Sequence, residues 1–279
     1  MQLNLDAVGK AIELKPFQYS WKETALYALG LGMGTECLDY TWEGGEGVKV
    51  LPSFAVIPTQ PVIMKALAQV NANFKTLVHG AQTIKMHAAI AAEGVFHSRG
   101  QISEVQDKGK GAVVIIDTET RDASGTLLFE TSWSIFCRGQ GDFGGSRGES
   151  VVIPEQIDED PIFSVTYETS TSQALIYRLS GDLNPLHVDP ELATKVGFKA
   201  PILHGLCTYG VATRAALEHL ANDQPERLRA FTARFSQVVY PGDALTVRGY
   251  RSTQENTYRL EVLVGDTTVL SHGVVEVTD

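Results

Sequence analysis

The chain has 279 residues, of which 43% are hydrophobic and 20% charged, and its formal net charge is -10. This composition supports buried cores and excludes a disordered chain, while the length is typical of two domains of ordinary size. The negative charge argues against a general binder of nucleic acid or anionic membranes, although a local basic pocket for a phosphate group stays compatible with it.

The compartment is inferred from the cysteines and from the lack of address signals. Cys37, Cys137 and Cys207 are far apart, which predicts neither a zinc ribbon nor a disulfide framework. We see no secretory signal and no peroxisomal address, and no stretch approaches the roughly 18 apolar residues of a membrane span. We therefore expect a protein of the reducing cytoplasm that does not bind membranes.

The first half of the chain predicts a helix, an irregular segment and a run of strands. A helix is expected at 19–31, because Ser20 and Glu23 have the spacing of a capping box. The apolar stretch 49–58 is interrupted by two prolines, so we expect an extended or turn segment there, followed by a short helix at 63–70. Runs of β-branched and aromatic residues predict a meander of strands at 83–86, 95–105, 111–121 and 125–137.

The composition changes after this meander, and we place the domain boundary there. The stretch 139–148 is rich in glycine, and 155–160 is acidic. We predict an N-terminal domain at 1–148, a linker at 149–160 and a C-terminal domain with the reactive motif at 161–279.

Three glycines of the boundary, Gly139, Gly141 and Gly144, match the GxGxxG spacing of dinucleotide-binding loops. Such a loop opens a helix within a βαβ unit, whereas an acidic run follows here. We therefore do not predict a Rossmann site.

The second half repeats the order of elements of the first. A helix is expected around 174–179 and a longer one at about 206–221, where apolar residues recur at helical spacing. Strand-like runs follow at 230–240, 244–252, 257–264 and 269–277. A duplicated α+β unit, in which an antiparallel sheet wraps a long buried helix, explains this order most economically.

One stretch of the second half carries a dense set of reactive side chains. Asp182 and His187 are five residues apart, so they do not share a helix face, but a turn at Asn184 and Pro185 would let them converge. A carboxylate and an imidazole can hold a water molecule and exchange protons with it. The competing interpretation is a turn in which Asp and Asn cap the next helix and His187 is only packed. Asp189, directly before a proline, fits such a cap, so we assign it to structure.

A second motif is His204-Gly205. Gly205 lets a ligand approach the main chain, because glycine has no Cβ. If a helix begins there, its first N–H groups lie at the positive end of the helix dipole and would stabilise negative charge that develops on a thioester oxygen. A plain helix start is the alternative.

Other chemistries have weaker support in the sequence. The Asp and His side chains of these two motifs contain enough ligand atoms for a metal ion, but no HExxH or spaced Cys/His set is present, so we predict no metal. Ser180 does not lie in a GxSxG elbow. Cys207 falls in the first helical turn, where a thiol pKa can be lowered, but its apolar neighbours favour packing.

At these residues the chain resembles the MaoC-like (R)-specific enoyl-CoA hydratases, the type-2 hydratases of the hotdog superfamily. The pattern Tyr-Arg-Leu-Ser-Gly-Asp-x-Asn-Pro-Leu-His-x-Asp-Pro is unbroken at 177–190, and Pro-Ile-Leu-His-Gly-Leu at 201–206 fits the second signature. The resemblance covers nearly the whole chain and is to the two-hotdog form, as in the hydratase part of peroxisomal multifunctional enzymes. Further similar segments lie at 50–58, 78–82, 107–111 and 234–243.

The resemblance implies a double hotdog fold of the α+β class and reversible hydration of a trans-2-enoyl-CoA to an (R)-3-hydroxyacyl-CoA, without metal or organic cofactor. Asp182 and His187 would activate the water and pass a proton to C2, with Asn184 in support. The N–H of Gly205 would bind the thioester oxygen. The positions that contact the CoA thioester in the family match His79, Gly80, Lys108 and Phe235. Lys108 also fits on charge, since a phosphate-bearing ligand needs local cations on an acidic chain.

The N-terminal half departs from the family motif. Leu-Gly-Leu-Gly-Met-Gly at 29–34 takes the place of Leu-Ser-Gly-Asp, so the resemblance implies one active site per chain. The prolines between 49 and 61 predict that this half lacks the long central helix. A homodimer is plausible because hotdog sheets often pair, although two hotdog units in one chain already supply that pairing.

Two other classes of function stay open. One is a non-catalytic module that binds acyl-CoA or an acyl carrier, with Asp182 and His187 used structurally. The other is a thioesterase, because the hotdog fold by itself does not fix the chemistry. The Asp182–His187 motif favours hydration over both.

Overall fold

The computed structural model describes residues 2–44, 47–149, 152–157 and 159–278. The helices are α1 (Trp21–Gly30), α2 (Leu38–Thr41), α3 (Val56–Gln69), α4 (Gln173–Tyr177), α5 (Pro190–Lys195) and α6 (Gly205–Leu220). The strands are β1 (Ile12–Glu13), β2 (Phe17–Tyr19), β3 (Leu77–Met86), β4 (Gly94–Asp107), β5 (Gly111–Arg121), β6 (Leu127–Arg138), β7 (Phe163–Glu168), β8 (Leu228–Phe235), β9 (Ala244–Arg251), β10 (Thr257–Val264) and β11 (Thr267–Val277).

The described strands form one sheet that contains the same topology twice. In the N-terminal unit the strand order is β4-β5-β6-β3, and β2 pairs with the outer strand β4. In the C-terminal unit the order is β9-β10-β11-β8, and β7 pairs with the outer strand β9. The order of elements along the chain is also the same, so the predicted duplication and the double hotdog fold are confirmed.

The domain bounds themselves stay a prediction. Ser150, Val151 and Asp158 of the predicted linker lie outside the described residues, as do Met1 and Asp279 at the ends of the two predicted domains.

The two units are joined where β3 and β8 pair. This antiparallel pairing runs from Ala81 opposite Arg234 to Lys85 opposite Ala230. At its centre, the hydroxyl oxygens of Thr83 and Thr232 are 2.9 Å apart. The seam between β3 and β8 therefore continues the sheet from one unit into the other.

Helix α6 is the central helix of the C-terminal unit, as predicted. Residues 206–217 are all buried, which identifies it as a core helix. It contacts strands β7 to β11 and the turn before α3. A Cβ on Gly210 would lie only 2.4 Å from Cδ2 of Leu31, so a glycine is needed where α6 passes the end of α1.

The N-terminal unit also has a central helix, so the prediction that it lacks one was wrong. A 3-10 turn at Pro52–Ala55 leads into the 14-residue helix α3, which contacts β4 and β5. Pro58 is tolerated because it lies in the first turn, where the N–H has no acceptor within the helix. Pro61 lies inside the helix and removes the N–H that would donate to the carbonyl of Ile57.

Smaller differences from the predicted elements have local causes. The three shortest or outermost strands, β1, β2 and β7, were not predicted. Strand β8 ends at Phe235 instead of continuing to 240, because the carbonyl of Val239 accepts the N–H of Leu203 at 2.7 Å and not a strand neighbour. The capping box of Ser20 and Glu23 forms as predicted.

The glycine-rich stretch 139–148 folds around a buried carboxylate. The oxygens of Asp107 accept the N–H groups of Gly109, Asp142 and Gly144 at 2.8–2.9 Å. These hydrogen bonds, that of Gly109 foremost, lower the pKa of Asp107 to about 2. Of the three glycines that match GxGxxG, Gly144 donates to Asp107, so this stretch surrounds a carboxylate of the protein itself.

None of the helices in the described part of the chain is long and apolar enough to cross a membrane.

Candidate active site

The turn predicted at Asn184 and Pro185 forms, and it brings Asp182 close to His187. Gly181 enters it with φ of 141°, a conformation that residues with a side chain rarely adopt. Oδ1 of Asp182 accepts the N–H of Asn184 at 3.1 Å. Oδ1 of Asn184 in turn accepts the N–H of Leu186 at 3.1 Å, so the side chain of Asn184 shapes the turn.

The hydrogen bond of His187 fixes its tautomer. Its Nδ1 lies 2.8 Å from the carbonyl oxygen of Ile202. Because a carbonyl oxygen only accepts, Nδ1 carries the proton and Nε2 of the neutral ring keeps its lone pair. Burial lowers the pKa of His187, against the opposing influence of Ile202 and Asp182, while Arg178 adds to the lowering. The ring is therefore neutral at pH 7, with Nε2 ready to accept a proton.

His204 lies against both groups. Its Nε2 is 3.1 Å from the main-chain oxygen of Asp182, and its ring stacks on that of His187 with centroids 3.6 Å apart and planes at 24°. Burial, followed by the neighbouring His187, lowers the pKa of His204 to about 4. The sequence marked His204 as part of a motif but assigned it no role.

The arrangement of this cluster fits proton transfer better than metal binding. Asp182, His187 and His204 each place one ligand atom within 4.8 Å of the others. The two rings are stacked, however, so their in-plane lone pairs do not converge on one point. Each ring also uses one nitrogen for a hydrogen bond to a carbonyl oxygen.

The N-terminus of α6 borders the cluster. The helix begins at Gly205, and the side chain of His204 at the N-cap makes no capping hydrogen bond. Gly205 is exposed, and a Cβ on it would be 3.2 Å from Cδ1 of Phe235. The N-terminus of a 16-residue helix thus lies at the surface, next to an aromatic ring.

The N-terminal unit places His79 against the same aromatic ring. Its ring stacks on Trp133 with centroids 4.9 Å apart and contacts Phe235 at 4.7 Å. Partial burial lowers the pKa of His79 to about 4, and the charge of Asp182 acts on it in the opposite direction. Gly80 forms a β-bulge in the pairing of β3 with β6. The structure thus brings His79, Gly80 and Phe235 together at the seam beside the cluster.

Lys108 does not join this cluster. It is exposed in the turn after β4, and its ammonium group donates to the carbonyl of Arg147. In the sheet register, His79 is level with Val105, three strands away, and Lys108 lies three residues further along. At about 4.8 Å per strand spacing, the main chains of the two residues are roughly 15 to 20 Å apart, at the same end of the strands.

Several groups of the site were not identified from the sequence. The hydrogen bond from His187 to the main-chain carbonyl of Ile202 could not be predicted from the sequence, because every residue has such a carbonyl. Arg178 lies within the 177–190 motif and acts on the pKa of both stacked histidines, so its charge was a usable signal. Cys207 is fully buried, and burial raises the pKa of its thiol, which agrees with a packing role.

Taken together, the fold and the site define a double hotdog protein in which a carboxylate and two imidazole rings lie beside the N-terminus of a helix. Residues 17–139 match the MFE-2 hydratase 2 N-terminal domain, and residues 152–273 match the MaoC-like domain. The chain therefore belongs to the MaoC-like dehydratase family, in its form with the hydratase 2 N-terminal domain.

Individual relatives are similar over most of the chain. The 3-hydroxyacyl-thioester dehydratase Y of Mycobacterium tuberculosis is 40% identical, with 99% of each chain covered. The probable enoyl-CoA hydratase 2 of Dictyostelium discoideum is 41% identical over 84% of this chain and 82% of the relative. The solved peroxisomal multifunctional enzyme type 2 of Drosophila melanogaster superposes with a TM-score of 0.83 at 34% identity, and 96% of this chain covers 48% of that longer protein.

Proposed function

We propose that this protein catalyses the reversible hydration of a trans-2-enoyl-CoA to an (R)-3-hydroxyacyl-CoA. The observation that carries the proposal is the state of His187, whose Nδ1 donates to Ile202 and whose Nε2 is left as a base next to Asp182. The names of two relatives that match most of the chain, a 3-hydroxyacyl-thioester dehydratase and a probable enoyl-CoA hydratase 2, support the same reaction.

In the proposed mechanism Asp182 and Nε2 of His187 hold one water molecule. The oxygen of this water adds to C3 of the enoyl group, Nε2 of His187 takes the proton that the water loses, and the pair then returns a proton to C2. Water and substrate combine completely, so the reaction needs no oxidant, reductant or leaving group. Asn184 supports the pair by shaping the turn that holds Asp182.

Negative charge forms on the thioester oxygen as water adds, and the start of α6 is suited to stabilise it. The N–H of Gly205 is at the positive end of a 16-residue helix whose first turn has no side-chain cap. A main-chain donor of this kind typically contributes about 10²- to 10³-fold to the rate. The missing Cβ at Gly205 gives the thioester access to that N–H.

The substrate is proposed to extend from the cluster to Lys108. His79, Gly80 and Phe235 would contact its thioester part at the seam, and Lys108 would meet a phosphate of the CoA part. The separation of roughly 15 to 20 Å suits an elongated ligand that reaches both places. Two other basic residues, Lys110 and Arg138, lie in the same turn region at the ends of β4 and β6 and add positive charge there.

The remaining proposals concern cofactor, compartment and assembly. The acid-base site needs no cofactor for this reaction, so we propose activity without added metal. The three cysteines are free thiols, which supports a reducing compartment such as the cytoplasm.

For the assembly we propose a homodimer. The alternative is a monomer, in which the β3–β8 seam already provides the contact between the two hotdog units. Light scattering of the purified protein distinguishes the two.

The hydration assay tests the function directly. Purified protein is mixed with enoyl-CoAs of several chain lengths, loss of absorbance of the enoyl thioester is followed, and the configuration of the product is determined by chiral analysis. We expect (R)-3-hydroxyacyl-CoA and unchanged turnover in the presence of a chelator. No loss of enoyl absorbance at any chain length would exclude the proposed reaction.

The same assay separates the other two functions. A thioesterase releases free CoA thiol, which a thiol reagent detects, whereas hydration preserves the thioester. A binding module would be stabilised by acyl-CoA in thermal unfolding without turnover, and that stabilisation would survive substitution of both Asp182 and His187.

A further inference from the structure

His204 contacts each part of the proposed hydration site although no step of the mechanism uses it. Its Nε2 lies 3.1 Å from the main-chain oxygen of Asp182, and its ring face covers that of His187. Its main chain leads directly into Gly205, whose N–H is the proposed oxyanion donor. Only 1% of His204 is exposed, so these contacts are made by a fixed side chain.

The hydrogen bond to Asp182 also determines the state of the His204 ring. The main-chain oxygen of Asp182 is only an acceptor, so Nε2 of His204 carries the proton. The other nitrogen, Nδ1, is buried and has no hydrogen-bond partner among the described residues. A second proton on Nδ1 would have no acceptor, and the pKa of about 4 agrees with a ring that stays neutral.

A neutral ring in this place matters because His187 becomes charged when it takes a proton during the reaction. The charged groups that act on His187 are Asp182, which favours its cation, and Arg178, which opposes it. A cationic His204 stacked at 3.6 Å would oppose it further. As a neutral ring, His204 supports the position of His187 without that penalty.

We propose that His204 is a positioning residue, which holds the main chain of Asp182 against the ring of His187 and so sets the separation of the two groups that handle the water. This inference deepens the proposed hydration and rests on it. Small displacements of such a pair are costly, because a shift of about 1 Å can reduce turnover by about 10²-fold.

Two substitutions at this position separate the hydrogen bond from simple packing. His204→Gln places an amide N–H near the position of Nε2 and keeps a donor for Asp182, whereas His204→Phe keeps a ring of similar size and removes the donor. We expect His204→Phe to lower kcat about 20-fold or more with KM within about twofold, and His204→Gln to stay within about fivefold of the wild type. Equal activity of the two variants, or a His204→Phe enzyme within threefold of the wild type, would refute the positioning role.

A double-mutant cycle tests whether His204 acts through Asp182. In an Asp182→Asn background, His204→Phe should cause almost no further loss, because the group it positions is already inactive. A purely structural contribution would lower both backgrounds by the same factor. Thermal unfolding of each variant accompanies the kinetics, so that loss of folded protein is not counted as loss of turnover.

Crystal structures of the wild type and His204→Phe test the positioning independently of activity. We expect the main chain at Asp182 to move by about 0.5 Å or more relative to His187 when the hydrogen bond is removed. An unchanged position would contradict the inference even if the protein hydrates enoyl-CoA. Conversely, if His204→Phe shows this displacement but the wild-type protein hydrates no enoyl-CoA, only the proposed function is refuted.

Discussion

A Cβ placed on Gly205 would lie 3.2 Å from Cδ1 of the Phe235 ring, closer than ordinary van der Waals contact. Gly205→Ala therefore forces either the ring or the start of α6 to shift. We expect kcat/KM for enoyl-CoA to fall about 10- to 100-fold, because the proposed oxyanion donor is displaced or covered.

The matched control for Gly205→Ala makes room at the partner residue. In a Gly205→Ala/Phe235→Leu double variant, the added methyl group no longer meets the aromatic ring, and part of the lost kcat/KM should return. An alanine variant that keeps activity within twofold of the wild type would contradict the expectation that access to this N–H requires a glycine at position 205.

The acid-base pair is tested by substitutions that preserve shape. Asp182→Asn and His187→Gln should each lower kcat about 10²-fold or more, since either change removes a proton-transfer group. Asp189→Ala is the control: Asp189 caps α5 by accepting the N–H groups of Glu191 and Leu192. We expect it to cost about 1 kcal/mol in unfolding free energy and to leave kcat unchanged. Urea unfolding and steady-state kinetics on all three variants check these expectations.

Lys108 is predicted to act on substrate binding and not on chemistry. Lys108→Ala should raise KM for acyl-CoA several-fold and leave kcat within twofold, because a phosphate contact 15 to 20 Å from the cluster is about equally strong in ground and transition states. The rise should shrink at high salt, where exposed charges are screened. Lys195→Ala, at the end of α5, is the control cation, and an equal rise in KM for it would show that only net charge matters.

Three histidines make stability fall in weak acid. Their folded pKa values lie below the ordinary value of about 6.5, at about 4 for His79 and His204, so the unfolded chain binds protons first as pH decreases. The contribution of these histidines to the free energy of unfolding should therefore be at its maximum above pH 6.5 and decline as pH falls towards 4. Asp107, whose pKa is lowered to about 2, acts in a separate window between about pH 4 and 2.

Urea unfolding between pH 7.5 and 4.5 measures this decline. His79→Gln should make it shallower, because one group that must be neutral in the folded state is gone. His97→Gln, at an exposed position, is the matched control for replacing a histidine by glutamine. A wild-type stability that is constant across this range would contradict the buried, neutral state of these rings.

Pro61 offers a test of the unexpected helix α3. Pro61→Ala restores an N–H that can donate to the carbonyl of Ile57, so we expect the unfolding free energy to rise by about 1 to 3 kcal/mol. Lys65→Ala, one turn further along α3, is the control and should change it by less than about 0.5 kcal/mol. A decrease for Pro61→Ala would show that the proline is favourable in its native setting.

Local patterns predicted part of this fold and failed where distant contacts decide. The capping box at Ser20, the turn at Asn184 and the cap at Asp189 involve groups at most three residues apart, so the sequence alone contains the information for them. The second half of helix α3 was predicted as a short helix at 63–70, but its first half was missed because the prolines oppose a helix locally, whereas the burial of Val62, Ile63 and their neighbours against the sheet stabilises it.

The site shows the same division. Asp182, His187 and Gly205 could be identified because their residue types and spacing are distinctive. The tautomer of His187 depends on a main-chain oxygen 15 residues away, at Ile202, and the stacking of His204 depends on how two segments pack. His79 reaches the site through the pairing of β3 with β8, which no local pattern records.

The seam between β3 and β8 also has a consequence for how such a site can diversify. In an assembly of two identical copies, every substitution appears twice, so a change that widens the substrate channel in one copy alters the reactive residues in the other as well. Here the two contributions are encoded separately. The N-terminal unit, in which 29–34 replaces the motif, does not have to preserve a reactive turn. The residues around His79 can therefore change with the substrate while Asp182 and His187 stay as they are.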